Sequence, residues 1–265
     1  MSVTRRRFLK LGLTTLAGVG GAMALDGFWR GSAEASEVLT DQKALKAKHW
    51  AMVIDSDRLK SAENVQRMID ACHRTHNVPD FGNSKDEIKW MGTETYEHAF
   101  PGQENGYLNE GIKEKLFPVL CNHCENPACV RVCPTQATFK RPDGIVAMDY
   151  HRCIGCRFCM AACAFGARSF NFRDPRPFIK QVNPDFPTRT KGVVEKCNFC
   201  VERLEKGLPP ACVEASNGAL IFGDLDDPNS EVRQVLATHY SIRRKPELGT
   251  EPSVYYLIGG GEEHA

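Results

Sequence analysis

Apolar and polar positions along this 265-residue chain fall into several short patterns rather than one long periodic one. A Gly-rich apolar run extends from Leu11 to Leu25, about fifteen residues, short of the ~20 that cross a bilayer as a helix. The stretch ATFKRPDGIVAMDYHR predicts a hairpin, with Pro142-Asp143-Gly144 as the turn and Ile145 and Ala147 alternating with Val146 and Met148 after it. From Ser230, EVRQVLATH predicts a short capped helix. The segment from Asn77 to Pro118, including EIKWMGTETYEHAF, predicts an inserted strand pair and a loop shaped by Pro101 and Gly102, covering the rest of the fold and offering contact surface. The closing GGGEEHA reads as mobile.

The polar residues ahead of the first apolar run change its meaning. Thr4-Arg5-Arg6-Arg7-Phe8-Leu9-Lys10 followed by that run is a twin-arginine export signal, and Ala33-Glu34-Ala35 offers a small-x-small cleavage site, so residues 1–35 are expected to leave a mature chain beginning near Ser36. Retention of the segment as an anchor is the alternative. A twin-arginine substrate crosses the membrane already folded, which suits a protein whose cofactors are inserted in the cytoplasm. The expected location is therefore periplasmic, peripheral to the inner membrane. Residues 1–35 hold five of the 34 basic side chains and two of the 33 acidic ones, leaving 29 against 31. No basic tract survives, so neither nucleic acid nor an anionic membrane surface is an expected partner. Hydrophobic residues make up 42%, ordinary for a soluble protein with one large or two small domains.

Cysteine usage sets the chemistry. Eleven of the twelve cysteines fall between 121 and 212. CNHCENPACVRVCP has the spacing C-x2-C-x4-C-x3-C-P, and CIGCRFCMAACAFG has C-x2-C-x2-C-x3-C. The second matches the bacterial ferredoxin run except that Ala164 replaces the usual proline; the first keeps Pro134 but widens one gap by two residues. In such pairs the first three cysteines of each run surround one cubane while the fourth, at a helix start, reaches back to the other. The expected ligand sets are Cys121, Cys124, Cys129 and Cys163 for one [4Fe-4S] cluster and Cys153, Cys156, Cys159 and Cys133 for a second. Gly155 and similar small residues let backbone N–H groups turn toward the sulfurs. Six disulfides are the competing use of twelve cysteines, but disulfide frameworks show no such repeated grammar. Paired zinc knuckles are another, yet the three-plus-one interleaving with a Cys-Pro exceeds what a tetrahedral site needs.

The predicted fold class is α+β: tandem bacterial ferredoxin-like modules with an inserted β segment and long loops, and few residues per loop left for a conventional core. A third run, KCNFCVERLEKGLPPACVEAS, supplies Cys197, Cys200 and Cys212, and then Ser216 where a fourth cysteine would stand. The one cysteine unspent is Cys72, in MIDACHRTHNVP.

With CNHCENPACVRVCP, CIGCRFCMAACAFGAR, KCNFCVERLEKGLPPACVEA, IFGDLDDPNSEVRQVL and ELGTEPSVYYL, the chain resembles the four-cluster ferredoxin-like electron-transfer subunits of dimethyl sulfoxide, polysulfide and nitrate reductases and related membrane complexes. The resemblance covers most of residues 49–258. It implies four cysteine groups in which II pairs with III and I with IV, giving a II/III module at about 119–175, a I/IV module at about 49–76 plus 192–225, an insertion at about 77–118 and a tail at 226–265. Cys72 becomes the fourth cysteine of group I and completes a third cluster with Cys197, Cys200 and Cys212. Counting back from Cys72 puts the other group I positions at Ala62, Val65 and Met68, none a cysteine. With Ser216 they form a vacated fourth site, packed by apolar side chains. Ser216 as an oxygen ligand is the alternative, but it lacks three companions.

Within this family the twin-arginine leader, the single vacancy and CHRTHNVP look most like the periplasmic iron-sulfur subunits of Dsr transmembrane complexes of sulfate reducers. That implies an NrfD-like polytopic membrane subunit reacting with menaquinone and a periplasmic multihaem cytochrome c as partners. Delivery of electrons to a molybdopterin oxidoreductase chain is the alternative. His73 and His76 are expected at the surface or behind the ligands, and His123 is expected to bond a sulfur, a partner's cofactor or solvent. The sequence contains no C-x-x-C-H, P-loop or G-x-G-x-x-G, so neither a haem of its own nor a bound nucleotide is expected.

Overall fold

The computed structural model describes residues 43–59, 61–103 and 106–258. The export segment 1–35 and the terminal GGGEEHA lie outside the described residues. Four small sheets and short helices make up the rest, a mixed α/β arrangement.

The chain opens with β1 (Trp50–Asp55) and α1 (Ala62–Thr75). The 77–118 insertion carries β2 (Met91–Glu94) and two single turns, α2 (Tyr96–Ala99) and α3 (Glu110–Lys113), before β3 (Phe117–Leu120). Then come α4 (Ala128–Arg131), β4 (Thr138–Lys140), β5 (Val146–Met148), α5 (Phe158–Ala161) and β6 (Ser169–Phe170). The remainder holds β7 (Val194–Glu195), α6 (Val201–Leu204), α7 (Ala211–Glu214), β8 (Leu220–Asp224), α8 (Glu231–Thr238), β9 (Ser241–Ile242) and β10 (Val254–Leu257).

The largest sheet has the order β8-β1-β10-β9, with β1 antiparallel to β8 and parallel to β10. No sequence pattern predicts WAMVID as a strand. Its Trp50, Met52 and Ile54 face the main core, while Ala51 and Val53 pack on the other face with Ile221, Leu257 and Val232 of α8. Burial on both faces makes the strand a continuous apolar run, and the alternation that marks a half-exposed strand is lost. Helix α8 forms as expected: the Ser230 hydroxyl accepts the Arg233 N–H at 3.3 Å.

The predicted hairpin is β4–β5, with Thr138 opposite Met148 and Lys140 opposite Val146. Gly144 closes its turn at φ +83°, a left-handed conformation open to glycine. Ile145, Val146 and Ala147 are all buried, so the alternation expected there does not separate an inner from an outer face.

The inserted strand pair is β2 with β3, Met91 opposite Leu120, and β3 runs directly into the first ligand loop. The insertion is more than a cover. Ile88, Trp90, Met91, Tyr96 and Phe100 belong to the main apolar core, and Phe100 packs edge-on against Phe117 and Tyr256 at ring distances of 5.3 and 5.0 Å. The chain therefore has a conventional core, contrary to the sequence expectation, because the insertion and the β1 sheet supply the apolar surface that ligand loops lack. No helix among the described residues is long and apolar enough to cross a membrane.

Candidate iron-sulfur centres

The first C-x-x-C of each of the three ligand runs contains the same backbone device. His123, Gly155 and Phe199 stand immediately before the second cysteine, with φ of +41°, +70° and +55°. A left-handed residue here reverses the chain within one turn, so that consecutive N–H groups face the enclosed sulfurs. The Phe199 N–H donates to Cys197 Sγ and the Ala211 N–H to Cys200 Sγ, both at 3.4 Å. At Gly155 the conformation is not the whole requirement: a Cβ there would lie 2.4 Å from the Gly192 carbonyl oxygen. Cys133 and Cys163, expected at a helix start, instead stand just past the single turns α4 and α5, which carry Cys129 and Cys159. A turn this short delivers the third and fourth sulfurs of a run from its two ends.

All twelve cysteines are free. Cys72 is buried, and its thiol is pushed well above its ordinary range first by burial and then by Cys212, Cys197 and Cys200 around it. Burial, then the neighbouring Cys121, with Cys129 and Cys163 also close, pushes Cys124 up to about 12. A third set surrounds one small enclosure whose walls include Cys133, Cys153, Cys156 and Cys159. Each quartet predicted from the sequence is thus brought together in space. The sets also adjoin: Cys121 of the first is the thiol that acts most strongly on Cys197, and Cys129 acts on Cys159. The first set therefore lies between the other two.

Burial first, and then in most of them the repulsion of neighbouring thiolates, makes Cys72, Cys124, Cys129, Cys159, Cys197, Cys200 and Cys212 resist ionisation. The arrangement suits a group that brings positive charge and takes thiolate ligands, and [4Fe-4S] clusters do both. Two orphaned donors fit the same purpose. Arg168 Nη2 and His123 Nε2 are buried with no hydrogen-bond partner, beside the quartets. His123 is fully buried, with Nδ1 accepting the Val146 N–H at 3.1 Å and the ring stacked on Phe199 at 3.6 Å, so the solvated alternative is removed.

The four vacated positions do not form a ligand loop. Ala62, Val65 and Met68 lie on α1, a continuous helix capped by Ser61 that carries through to Cys72. Val65 and Met68 point into the main core and Ala62 is exposed in the first turn. Ser216 is buried just beyond α7; its hydroxyl donates to the Val213 carbonyl at 2.7 Å and accepts the Leu220 N–H at 3.0 Å. The Arg67 Nε–H donates to the Ala215 carbonyl at 2.9 Å, tying α1 to the end of α7.

Of the two places expected for His76, the structure gives the one behind the ligands: it stacks on Trp90 at 4.2 Å, and its Nε2 lies 2.7 Å from Glu202, two residues beyond Cys200. Sequence reading missed other neighbours of the ligands. Glu195 precedes the third ligand run, pairs with Arg189 at 2.6 Å and accepts the Trp90 indole N–H at 2.8 Å, so the insertion clamps that run. Trp90 carried no signal, since its partner is more than a hundred residues away.

Residues 112–175 match the 4Fe-4S dicluster domain. The chain is 41% identical to the first iron-sulfur subunit of the Hdr-like menaquinol oxidoreductase of Archaeoglobus fulgidus, over 98% of this chain and 100% of that protein. It is 39% identical to a putative dimethyl sulfoxide reductase iron-sulfur protein of Halobacterium salinarum, over 80% of this chain and 79% of that one. The iron-sulfur cluster-binding subunit of menaquinone reductase from Nitratidesulfovibrio vulgaris is 37% identical, over 81% and 90%. On these matches and this cysteine architecture, the chain belongs to the family of ferredoxin-like iron-sulfur electron-transfer subunits of the dimethyl sulfoxide, polysulfide and nitrate reductase type.

Proposed function

We propose that this chain conducts electrons through three [4Fe-4S] clusters, held by Cys121, Cys124, Cys129 and Cys163, by Cys153, Cys156, Cys159 and Cys133, and by Cys197, Cys200, Cys212 and Cys72, as a periplasmic subunit of a membrane-bound respiratory complex. The observation that carries this reading is that the twelve cysteines sort into three adjoining quartets with none left over. Cubanes ligated only by thiolates exchange single electrons and leave no iron open to a substrate, so the subunit relays and does not turn over substrate.

The chain's own residues do the rest. The sheet around β1 and the aromatic insertion exclude water from the third quartet, where Cys72, Cys197, Cys200 and Cys212 are all buried. At the second quartet burial raises the Cys133 thiol, but the N–H groups of Thr138, Thr135 and Ala137 and the Thr135 hydroxyl outweigh that and bring it below the ordinary value. Donors to sulfur of this kind favour the added electron. In this reading residues 119–175, and residues 49–76 with 192–225, form two ferredoxin-like modules joined through the first quartet.

The partners proposed are an NrfD-like polytopic membrane subunit that reacts with menaquinone and a periplasmic multihaem cytochrome c, in a complex associated with sulfate or sulfite reduction. Support comes from the twin-arginine leader, which fits export of a folded cofactor protein, and from relatives named for menaquinol oxidoreductase and menaquinone reductase. Relatives named for dimethyl sulfoxide and tetrathionate reductases favour a second reading, delivery of electrons to a molybdopterin chain. Isolation of the native complex from the periplasmic face, with iron, haem and molybdenum counted together, tests both. Haem without molybdenum supports the first reading, molybdenum supports the second, and a folded, colourless, iron-free subunit overturns both.

A further inference from the structure

Four long basic side chains are fully or almost fully buried among the described residues; Arg244 donates to the Ala99 carbonyl and lies over the Phe165 ring, and the other three, near the cysteine quartets, are not equivalent. Arg189 has a carboxylate partner in Glu195, so its charge is balanced within the protein. Arg168 and Lys196, 5% and 1% exposed, pair with no carboxylate among the described residues. A buried cation without an anion costs several kcal/mol, so a counter-charge is expected where these two side chains end.

Both end at junctions between quartets. The Arg168 guanidinium lies beside Cys129 of the first set and Cys159 of the second, with Cys121 also near its charge. Its Nη1 donates to Thr138 Oγ1 at 3.2 Å and contacts Met148 Sδ at 3.8 Å, and both residues line the enclosure of the second quartet. Its Nη2 is buried with no partner. The Lys196 ammonium donates to the Val146 carbonyl and, at 2.6 Å, to the Cys197 carbonyl. Val146 in turn donates its N–H to His123 Nδ1 of the first ligand run at 3.1 Å, so the ammonium is held between the first run and Cys197 of the third.

We propose that Arg168 and Lys196 are potential-setting residues that bridge neighbouring clusters: Arg168 favours reduction of the clusters held by the first and second quartets, and Lys196 favours reduction of those held by the first and third. The inference rests on the cluster assignment above. A fixed positive charge in a low-dielectric interior stabilises the state carrying the extra electron, and a cation shared by two sites does so for both. The middle site lies under both cations and each outer site under one. Arg168 fits its junction because a planar fork can donate to sulfurs on two sides at once; a lysine offers one compact head.

The test is a redox titration followed by low-temperature EPR on the full-length protein, comparing wild type with Arg168→Gln and Lys196→Gln and measuring iron in every sample. Arg168→Gln is expected to lower the reduction equilibrium of the first and second sites at least tenfold, about 59 mV for one electron, and to leave the third in place. Lys196→Gln is expected to lower the first and third and leave the second. The charge-keeping variants Arg168→Lys and Lys196→Arg are expected to stay within about threefold of wild type, since the net field is retained. Glutamine variants that keep their iron and their potentials overturn the inference and leave the cluster assignment standing. If a glutamine variant loses its iron, its charge-keeping counterpart decides: retained potentials support the inference, and a tenfold fall shows that packing rather than charge sets them and overturns it. Wild-type protein without iron removes the assignment itself.

Discussion

The Ser216 hydroxyl accepts the Leu220 N–H at 3.0 Å while donating to the Val213 carbonyl, so the side chain at the missing cysteine position is used in closing the turn from α7 into β8. Its companions cannot rescue a fourth site, because Val65 and Met68 are core side chains on a continuous helix and Ala62 faces solvent. Ser216→Cys is therefore expected to leave iron at about 12 atoms per chain and to lower stability by about 1 kcal/mol through the weakened turn. Iron analysis and denaturant unfolding check the two halves; a rise toward about 16 irons would sink the vacancy.

Cys72 makes the opposite prediction. It is the one ligand contributed from α1, and it sits among Cys197, Cys200 and Cys212. Cys72→Ala should reduce iron by about a third, or convert one cubane to a three-iron species with a distinct EPR signal. Unchanged iron and spectra would mean that the third site is completed by something else.

Gly155 tests the loop geometry without touching a ligand. Its φ of +70° and the Gly192 carbonyl oxygen, 2.4 Å from where a Cβ would stand, leave no room for alanine. Gly155→Ala should cost more than the ~1 kcal/mol of left-handed backbone alone and show as loss of the second site's EPR signal before the other two. His123→Gly, at the equivalent position of the first run, should relieve backbone strain but lose the stacking on Phe199.

The Arg189–Glu195 pair is a structural counterpart to the cysteine sites. Glu195 is fully buried and also accepts from Trp90 and Asn171. Glu195→Gln leaves the guanidinium without its anion, and a loss of about 3–5 kcal/mol is expected. The double variant Glu195→Gln with Arg189→Met should recover part of it, and thermal unfolding of the loaded protein measures both.

Much of the site could be read along the chain because cluster ligation depends on local spacing. A C-x-x-C loop can enclose only so large an object, and the fourth cysteine of the first two runs stands just past the helical turn that follows the loop, so their two quartets and the odd Ser216 are expected from positions such as Cys153, Cys156, Cys159 and Cys163, whereas Cys72 entered only through the family resemblance. The Pro142-Asp143-Gly144 turn and the Ser230 cap were legible for the same reason, since their partners lie within a few residues. WAMVID was not, because a strand covered on both faces has no alternation to read.

Sequence alone set the expectation of which residues bring sulfur and, with the family resemblance, of how they group. Tertiary structure decided what surrounds them: that the group I segment is a helix seated in an apolar core, that the first quartet lies between the other two, that His76 and His123 are buried, and that Arg168 and Lys196 end where quartets meet. Spacing fixes contacts within a loop, whereas the charge and packing around it come from segments as distant as Trp90 and Glu195, brought together only when the apolar core closes.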